Sequence, residues 1–156
     1  MTHIEELFTV IPLYPGQNIC LIHDKQVDIS PSLIKFCIEN EINLYVKDIE
    51  GDLLSLSHSP FVKVEKFSFK DKRYNLHSIL YDFLFFSYSL EDNHDILKKI
   101  YRVIKNAGNI FIFTKSDPDE LIKLLEKINF VAINEIDTFK KTHIISAKKM
   151  HGWMKI

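Results

Sequence analysis

The chain has 156 residues, 46% of them hydrophobic and 12% aromatic, which is enough apolar surface to bury a sizeable core. A formal net charge of -1 excludes a general electrostatic attraction to nucleic acid or anionic membranes, and so argues against nucleic acid as a partner. We therefore expect one domain over residues 1–156, with an N-terminal segment at 1–16 and a tail at 148–156.

The sequence also predicts where the protein is found. The N-terminus, MTHIEELFTV, lacks the basic start and apolar block of a signal peptide, and no apolar segment approaches the length needed to span a membrane. Cys20 and Cys37 both lie in apolar segments, so we interpret them as core residues of a reduced protein. The seven histidines have no spacing typical of a metal site. These features predict a cytoplasmic protein without a membrane anchor or a metal.

The first part of the chain predicts a βαβ unit. Residues 3–11 have the apolar spacing of a short amphipathic helix. A strand is predicted at 18–23, and a helix follows from Ser30-Pro31, where a capping residue precedes a first-turn proline, to about Asn40. The apolar run at 42–46 predicts the second strand.

The middle of the chain contains a second unit of this kind. Residues 48–60 are turn-rich and leave room for only a short crossover, after which alternation over 61–69 predicts an edge strand. The stretch from Tyr81 to Lys115 then predicts a strand at 83–86, a helix from near Asn93 that stops at Gly108, and a strand at 110–113.

The last part predicts one helix and two strands. Asp117-Pro118-Asp119-Glu120 has the pattern of a capped helix start, and closing strands are expected at 130–136 and 143–147 around a hairpin loop, DTFKKT. The sequence has no internal repeats and no linker. Together the elements predict an α/β fold, with a Rossmann-like, doubly wound, mostly parallel sheet and a C-terminal antiparallel hairpin.

Two segments resemble the class I S-adenosylmethionine-dependent methyltransferase family. The segment LKKIYRVIKNAGNIFIF at 97–113 is similar to the family's helix, turn and following strand, although Asn106 and Ala107 stand where the family usually has proline and glycine. The segment ELIKLLEKINFVAINEI at 120–136 resembles the family's last helix and next strand, with Asn129 where glycine is frequent. The resemblance implies a seven-stranded methyltransferase fold and S-adenosylmethionine as the cofactor.

One departure from the family affects the cofactor directly. The family has a glycine-rich turn after the first strand, where the backbone approaches the methionine part of the cofactor closely. This chain reads HDKQVD at 23–28, and no glycine occurs between Gly16 and Gly51. Because side chains there would occupy space that the cofactor needs, we expect weak or no cofactor binding.

The resemblance and the strand ends supply the candidate cofactor-binding residues. Asp48 matches the family acid that accepts hydrogen bonds from the ribose hydroxyls, although an aspartate after a strand is also typical of a solvated turn. Asp71 is the candidate for an acidic position near the adenine. The remaining candidates lie at or just after predicted strand ends: His23, Asp24, Ser87 and Tyr88.

The sequence leaves two functions open. The first is a methyltransferase-like protein with a divergent cofactor loop, acting, if it is active, as an S-adenosylmethionine-dependent methyltransferase with unassigned catalytic residues. The second is a non-catalytic interaction or structural subunit on the same fold, as a homo-oligomer or bound to a protein partner. The tail around Trp153 either docks a partner or nucleic acid, or covers an apolar edge of the same fold or of a second copy of the chain.

Overall fold

The structure is a computed structural model, and it describes residues 16–23, 30–48, 60–66, 81–88, 95–115, 117–139 and 142–149. The helix predicted at 3–11, the candidate site residues Asp24 and Asp71, and Trp153 lie outside these residues. The described elements are β1 Asn18–His23, α1 Ser30–Glu39, β2 Asn43–Asp48, β3 Val62–Lys66, β4 Tyr81–Tyr88, α2 Asp95–Val103, β5 Ile104–Thr114, α3 Pro118–Ile128, β6 Phe130–Phe139 and β7 Thr142–Lys149.

The strands form one seven-stranded sheet in the order β3-β2-β1-β4-β5-β7-β6. The first five strands of the chain pair in parallel, and β7 runs antiparallel to both of its neighbours, β5 and β6. The α/β prediction, with a mostly parallel sheet and a C-terminal hairpin, is confirmed. The antiparallel strand is second from the edge, because β7 inserts beside β5 and leaves β6 outermost.

The central strands are buried on both faces, as their continuous apolar sequences predict. Alternate residues of β1 face opposite sides of the sheet, and they belong to two different core layers. Ile19 and Leu21 lie in one layer with Leu33 and Cys37 of α1. Cys20 and Ile22 lie in the other, together with apolar residues of α2 and α3: Leu97, Ile100, Leu121 and Leu125. The described helices therefore cover both faces of the sheet.

Stacked phenylalanines join β4 to β5 in the layer that contains α1. Phe85 stacks on Phe111 at 5.1 Å and on Phe113 at 6.4 Å between ring centroids, and Phe83 stacks on Phe111 at 6.2 Å. All four side chains are buried. Aromatic pairs of this kind add about 0.5–1.5 kcal/mol beyond the area that they bury. The apolar runs of the two strands are thus used for pairing as well as for burial.

A hydrogen-bond network ties four strands together at the amino edge of the sheet. The Asp82 carboxylate on β4 accepts from the backbone N–H of Asn18 at 2.9 Å and from Nζ of Lys105 at 3.1 Å. The side-chain amide of Asn43 on β2 donates to that of Asn18 at 3.2 Å. One carboxylate on β4 therefore fixes the amino end of β1 against the start of β5.

The prediction that the central helix stops at Gly108 is wrong. Helix α2 ends at Val103, and β5 begins at the next residue, Ile104. The regular pairing of β5 with β4 starts five residues later, where Asn109 pairs with Phe83. Two contacts from distant strands explain the difference. Lys105 binds Asp82, and Nζ of Lys149 donates to the Ile104 carbonyl at 2.9 Å. These bonds hold the segment on the sheet instead of allowing another helical turn.

The other boundaries differ from the sequence predictions mainly in the hairpin. The Asp117 side chain caps α3 by accepting from the backbone N–H of Asp119 at 3.0 Å, as predicted. Asn129 ends the helix with φ of 86°, a left-handed conformation that asparagine tolerates. The predicted loop DTFKKT is too long, because Phe139 and Thr142 already pair across the hairpin. Strand β7 also extends through Lys148 and Lys149, which the sequence assigned to the tail.

The two cysteines occupy core positions, as predicted, and lie in opposite core layers. Burial raises the pKa of each thiol to about 12, from 9.0 in water. For Cys20 the neighbouring Lys47 and a hydrogen bond with Tyr81 partly oppose the rise. The thiols are consequently protonated at neutral pH. Among the described helices, none is long and apolar enough to cross a bilayer.

The raised thiol pKa values predict low reactivity and a loss of stability in alkali. We expect iodoacetamide to alkylate the folded protein at pH 8 at least ~100-fold more slowly than the unfolded protein, because the thiolate is the nucleophile. The stabilising contribution is fully present below pH 9 and is lost as the pH rises toward about 12. Mass spectrometry after timed alkylation, with and without guanidinium, measures the first effect. Equal rates in the two states would contradict it.

The turn before the regular part of β5 predicts a contrast between two neighbouring substitutions. A Cβ at Gly108 would lie 2.6 Å from Cγ2 of Ile104 and 2.9 Å from the Lys105 carbonyl oxygen, so Gly108→Ala should destabilise the fold by about 1–3 kcal/mol. Ala107 has φ of 64°, so Ala107→Gly removes strain and should change stability by less than about 1 kcal/mol. Guanidinium unfolding of both variants tests this, and equal effects would argue against it.

Candidate functional site

Polar residues stand where the parallel strands end. His23 is the last residue of β1, Asp48 the last of β2, and Thr114 the last of β5. Ser87 and Tyr88 end β4. Because parallel strands all point the same way, these residues lie along one edge of the sheet, which is where open α/β sheets bind ligands.

Two of the candidate residues, His23 and Asp48, lie directly opposite each other on neighbouring strands. They are directly paired across the parallel ladder of β1 and β2, whose backbones lie about 4.8 Å apart. Alternation along the strands places both on the same face as Leu21 and Val46, in the layer that contains α1. His23 is 2% exposed and Asp48 is 0% exposed. The interpretation of Asp48 as a solvated turn residue is therefore wrong.

The burial of these two groups has a cost that an apolar pair would not have. Removing a carboxylate or an imidazole from water is unfavourable unless other groups bond to it. Both residues make interactions within the protein. The four residues of β1 that precede His23, from Ile19 to Ile22, are all apolar or cysteine and buried, so His23 is the one polar residue among the buried residues of the strand. The sequence places an acceptor-only group beside a ring that can donate and accept.

Ser87 and Tyr88 belong to the same edge through the pairing of their strand. The last registered pair between β1 and β4 is Ile22 with Phe86, so His23 and Ser87 each follow directly after it. Tyr88 pairs in register with Thr114 of β5. The backbone of β4 thus places both candidates beside β1 and β5. Asp24 and Asp71, the other two candidates, lie outside the described residues.

Sequence reasoning missed an ion pair next to Asp48. Nζ of Lys47 lies 2.7 Å from Oε2 of Glu65 on β3. The Lys47 side chain is only 7% exposed, whereas Glu65 is 57% exposed. A lysine inside the apolar run NLYVKD was the available signal, because alternation puts it on the face of Tyr45 rather than in a loop. Thr114, which is fully buried at the end of β5, was also missed.

The arrangement suits hydrogen bonding to a polar ligand more than metal chemistry. A carboxylate accepts bonds from hydroxyl donors, and an imidazole does either, so the pair at the ends of β1 and β2 matches a ligand that carries hydroxyl groups. Within the described ranges, no group of three or more histidine, cysteine or acidic residues is placed to hold a metal ion.

The solved structures that align with this chain include methyltransferases. A methyltransferase in complex with the Haloferax volcanii methyltransferase activator aligns with a TM-score of 0.73 and 9% identity, over 94% of this chain and 88% of that one. A SAM-dependent methyltransferase from Aquifex aeolicus aligns with a TM-score of 0.70 and 14% identity, over 95% and 90%. Human N-acetylserotonin methyltransferase, in complex with SAM, aligns with a TM-score of 0.68 and 16% identity, over 96% of this chain and 52% of that one.

By sequence, neither a protein-family model nor a curated protein matches the chain. At identities of 9–16% the structural likeness establishes the fold alone. This likeness agrees with the resemblance seen in residues 97–113 and 120–136. The chemistry of the carboxyl edge depends on this chain's own residues, because a shared fold does not imply a shared function.

The ion pair beside Asp48 predicts an asymmetry between its two partners. Glu65→Gln should destabilise the protein by about 1–3 kcal/mol, because it leaves the buried Lys47 ammonium without its carboxylate. Lys47→Met removes the buried charge but keeps the aliphatic chain, and should cost less than about 1.5 kcal/mol. Chemical denaturation of the two variants measures the difference. A larger loss for Lys47→Met than for Glu65→Gln would contradict this account.

Proposed function

We propose that this chain, which has the fold of the class I S-adenosylmethionine-dependent methyltransferases, is a methyltransferase-like protein that binds S-adenosylmethionine weakly or not at all. The fold and the position of Asp48 support a site at the carboxyl edge of the sheet. The residues that follow β1 argue against tight binding at that site.

The single observation that carries the proposal is the pairing of His23 with Asp48. The resemblance to the family implies a glycine-rich turn at the position of His23 and a ribose-binding acid at the position of Asp48. The chain keeps the acid and buries it completely, but a histidine that is 2% exposed stands where the turn would begin. The chain therefore has the acid that the resemblance implies for the ribose, but it lacks the glycine-rich segment that the resemblance implies for the methionine part of the cofactor.

Asp48 supplies the favourable part of the binding. A carboxylate that accepts hydrogen bonds from two neighbouring ribose hydroxyls forms charge-assisted bonds, each worth about 1.5–3 kcal/mol. Asp48 exposes none of its surface, so a ligand reaches it only after the groups that cover it have moved. The apparent affinity is therefore the intrinsic affinity multiplied by the fraction of molecules in that open state.

The sequence that follows β1 supplies the unfavourable part. Residues 23–28 contain no glycine, and β-branched Val27 is poorly suited to the positive φ angles that such turns use. A backbone that carries side chains at each of these positions cannot approach the cofactor as closely as glycines allow. We assign no catalytic residues for methyl transfer by this chain. We also propose that the protein is cytoplasmic.

Titration of the protein with S-adenosylmethionine tests the proposal. We expect a dissociation constant weaker than ~100 µM, or no detectable heat at millimolar ligand. Where binding is detected, Asp48→Ala should weaken it at least ~10-fold through the lost ribose contacts. Asp119→Ala, which removes an exposed carboxylate from the first turn of α3, should leave it unchanged. A dissociation constant in the low micromolar range would overturn the proposal.

A second candidate function is that of a non-catalytic subunit on the same fold. It is supported by the complex in which one structural neighbour is bound to its activator protein. In this function the chain contributes a surface, as a homo-oligomer or with another protein, and the glycine-free sequence after β1 reflects a cofactor that is not needed. Light scattering during size-exclusion chromatography tests it. A monodisperse monomer that purifies without a partner would count against this function.

A further inference from the structure

We infer that the outer edge of β6 is a homodimer interface, in which β6 pairs antiparallel with β6 of a second copy of the chain about a two-fold axis at Asn134. The inference rests on the second candidate function in its homo-oligomeric form, and it names the surface and the register. It does not depend on whether the chain binds S-adenosylmethionine.

The two edge strands of the sheet differ in length and in charge. β3 is five residues long, and its exposed residues are all charged: Lys63, Glu65 and Lys66. Short, charged strands are a common protection of a sheet edge against pairing with another chain. β6 is ten residues long, or about 34 Å, and no described strand pairs with its outer side. β6 is therefore the edge that offers a long row of backbone groups to a partner.

β6 exposes apolar side chains along this edge. Val131 is 37% exposed and Ile136 is 42% exposed, and they are two of the three large hydrophobic residues that the described part of the chain leaves exposed. Residues 130–136 of the strand include no lysine or arginine. Their one charged residue is Glu135, whose Oε2 lies 3.0 Å from Nδ1 of His143. A partner strand would cover apolar surface here without burying an unpaired charge.

Two bulges interrupt β6, and they lie symmetrically about Asn134. The register with β7 shifts just after Val131 and again just after Glu135. Ala132, with φ of 51°, lies in the first bulge, and Ile136 is the additional residue of the second. One is two residues before Asn134 and the other is two residues after it. The Asn134 side chain donates to the Ala132 carbonyl at 3.2 Å, so the first bulge is already held within a single chain.

The bulges decide which partner strand fits. A bulge bends its strand and increases the local twist, so a straight strand pairs poorly with β6. A second copy that is related by a two-fold axis at Asn134 has the same bends at matching places, because Ala132 of each chain then lies opposite Ile136 of the other. Such an interface uses the same surface on both chains and closes as a dimer.

The positions of the acidic residues favour the same register. Antiparallel pairing centred on Asn134 places Glu135 opposite Ile133, and no two acidic residues lie directly opposite each other. Pairing centred on Glu135 would place this residue opposite its own copy, and pairing centred on Ile136 would place it opposite Asp137. Like charges directly opposite each other destabilise a sheet. The charges and the bulges therefore select one two-fold arrangement.

Sedimentation equilibrium of the full chain tests the dimer. Two paired edge strands form a small interface, so we expect a dissociation constant of ~1–100 µM, measured with samples from ~5 to ~500 µM. Ile136→Lys places a charge against the second copy and should weaken dimerisation at least ~10-fold. Ile38→Lys is the matched control, since Ile38 is 41% exposed but lies on α1, which packs over β1, β2 and β3. The control should leave the dissociation constant unchanged.

Single cysteine substitutions test the register. Residue 134 lies on the two-fold axis, so the two Cα atoms of Asn134→Cys should be about 4.5–5.5 Å apart, within reach of a disulfide. The two copies of Val131→Cys should be about 20 Å apart, because each lies three residues from the axis. We expect oxidation by copper-phenanthroline in air to cross-link the first variant and not the second, as measured by non-reducing gel electrophoresis. The native cysteines, Cys20 and Cys37, are buried.

The contrary results overturn the inference in different ways. A monomer at every concentration removes the dimer, and a dimer that Ile136→Lys leaves intact uses another surface. Equal cross-linking of Asn134→Cys and Val131→Cys contradicts the register. Assemblies larger than a dimer that Ile136→Lys dissolves would show open edge-to-edge association in place of a closed pair. Thermal unfolding establishes that each variant is folded, and if Ile136→Lys is not, the two cysteine variants decide.

These results are separable from the outcome for the proposed functions. The titration with S-adenosylmethionine tests the first function whether or not the chain dimerises. A monomer that purifies with another protein overturns the homodimer but leaves the second function in place with a different partner.

Discussion

The burial of β1 on both faces is the constraint on which the rest of the structure depends. This strand pairs in parallel with β2 on one side and β4 on the other, and every residue from Ile19 to His23 is buried. A strand in this position needs helices above and below it, and parallel neighbours need crossovers that return the chain to the same end of the sheet. Both requirements send the carboxyl ends of the strands to one edge. The position of the candidate site follows from them.

Much of the fold was predictable because the signals are local. The run ICLI in β1 and the runs FLFF and IFIF in β4 and β5 are apolar without alternation, as expected of strands covered on both sides. The start of α3 was predicted from Asp117 and Pro118, and the structure contains the predicted cap. Each of these features depends on residues that are close together in sequence.

The features that were not predicted depend on residues far apart. The end of α2 is set by Lys105 with Asp82, 23 residues away, and by Lys149 with the carbonyl of Ile104, 45 residues away. Lys47 and Glu65 are 18 residues apart, and only the pairing of β2 with β3 brings them together. Asp48 was predicted as a site residue from the family resemblance, and His23 because it lies at the end of the first strand. Their shared register and complete burial required the sheet itself.

The network around Asp82 lies at the edge of the sheet opposite to the candidate site. Asp82, Asn18 and Lys105 lie at the amino edge, and His23 and Asp48 lie at the opposite one, about 17 Å away along β1. Groups this far apart usually contribute additively to stability. Substitutions at the carboxyl edge can therefore leave the strand order unchanged. A chain of this design can keep its architecture while the residues at the ends of its parallel strands change.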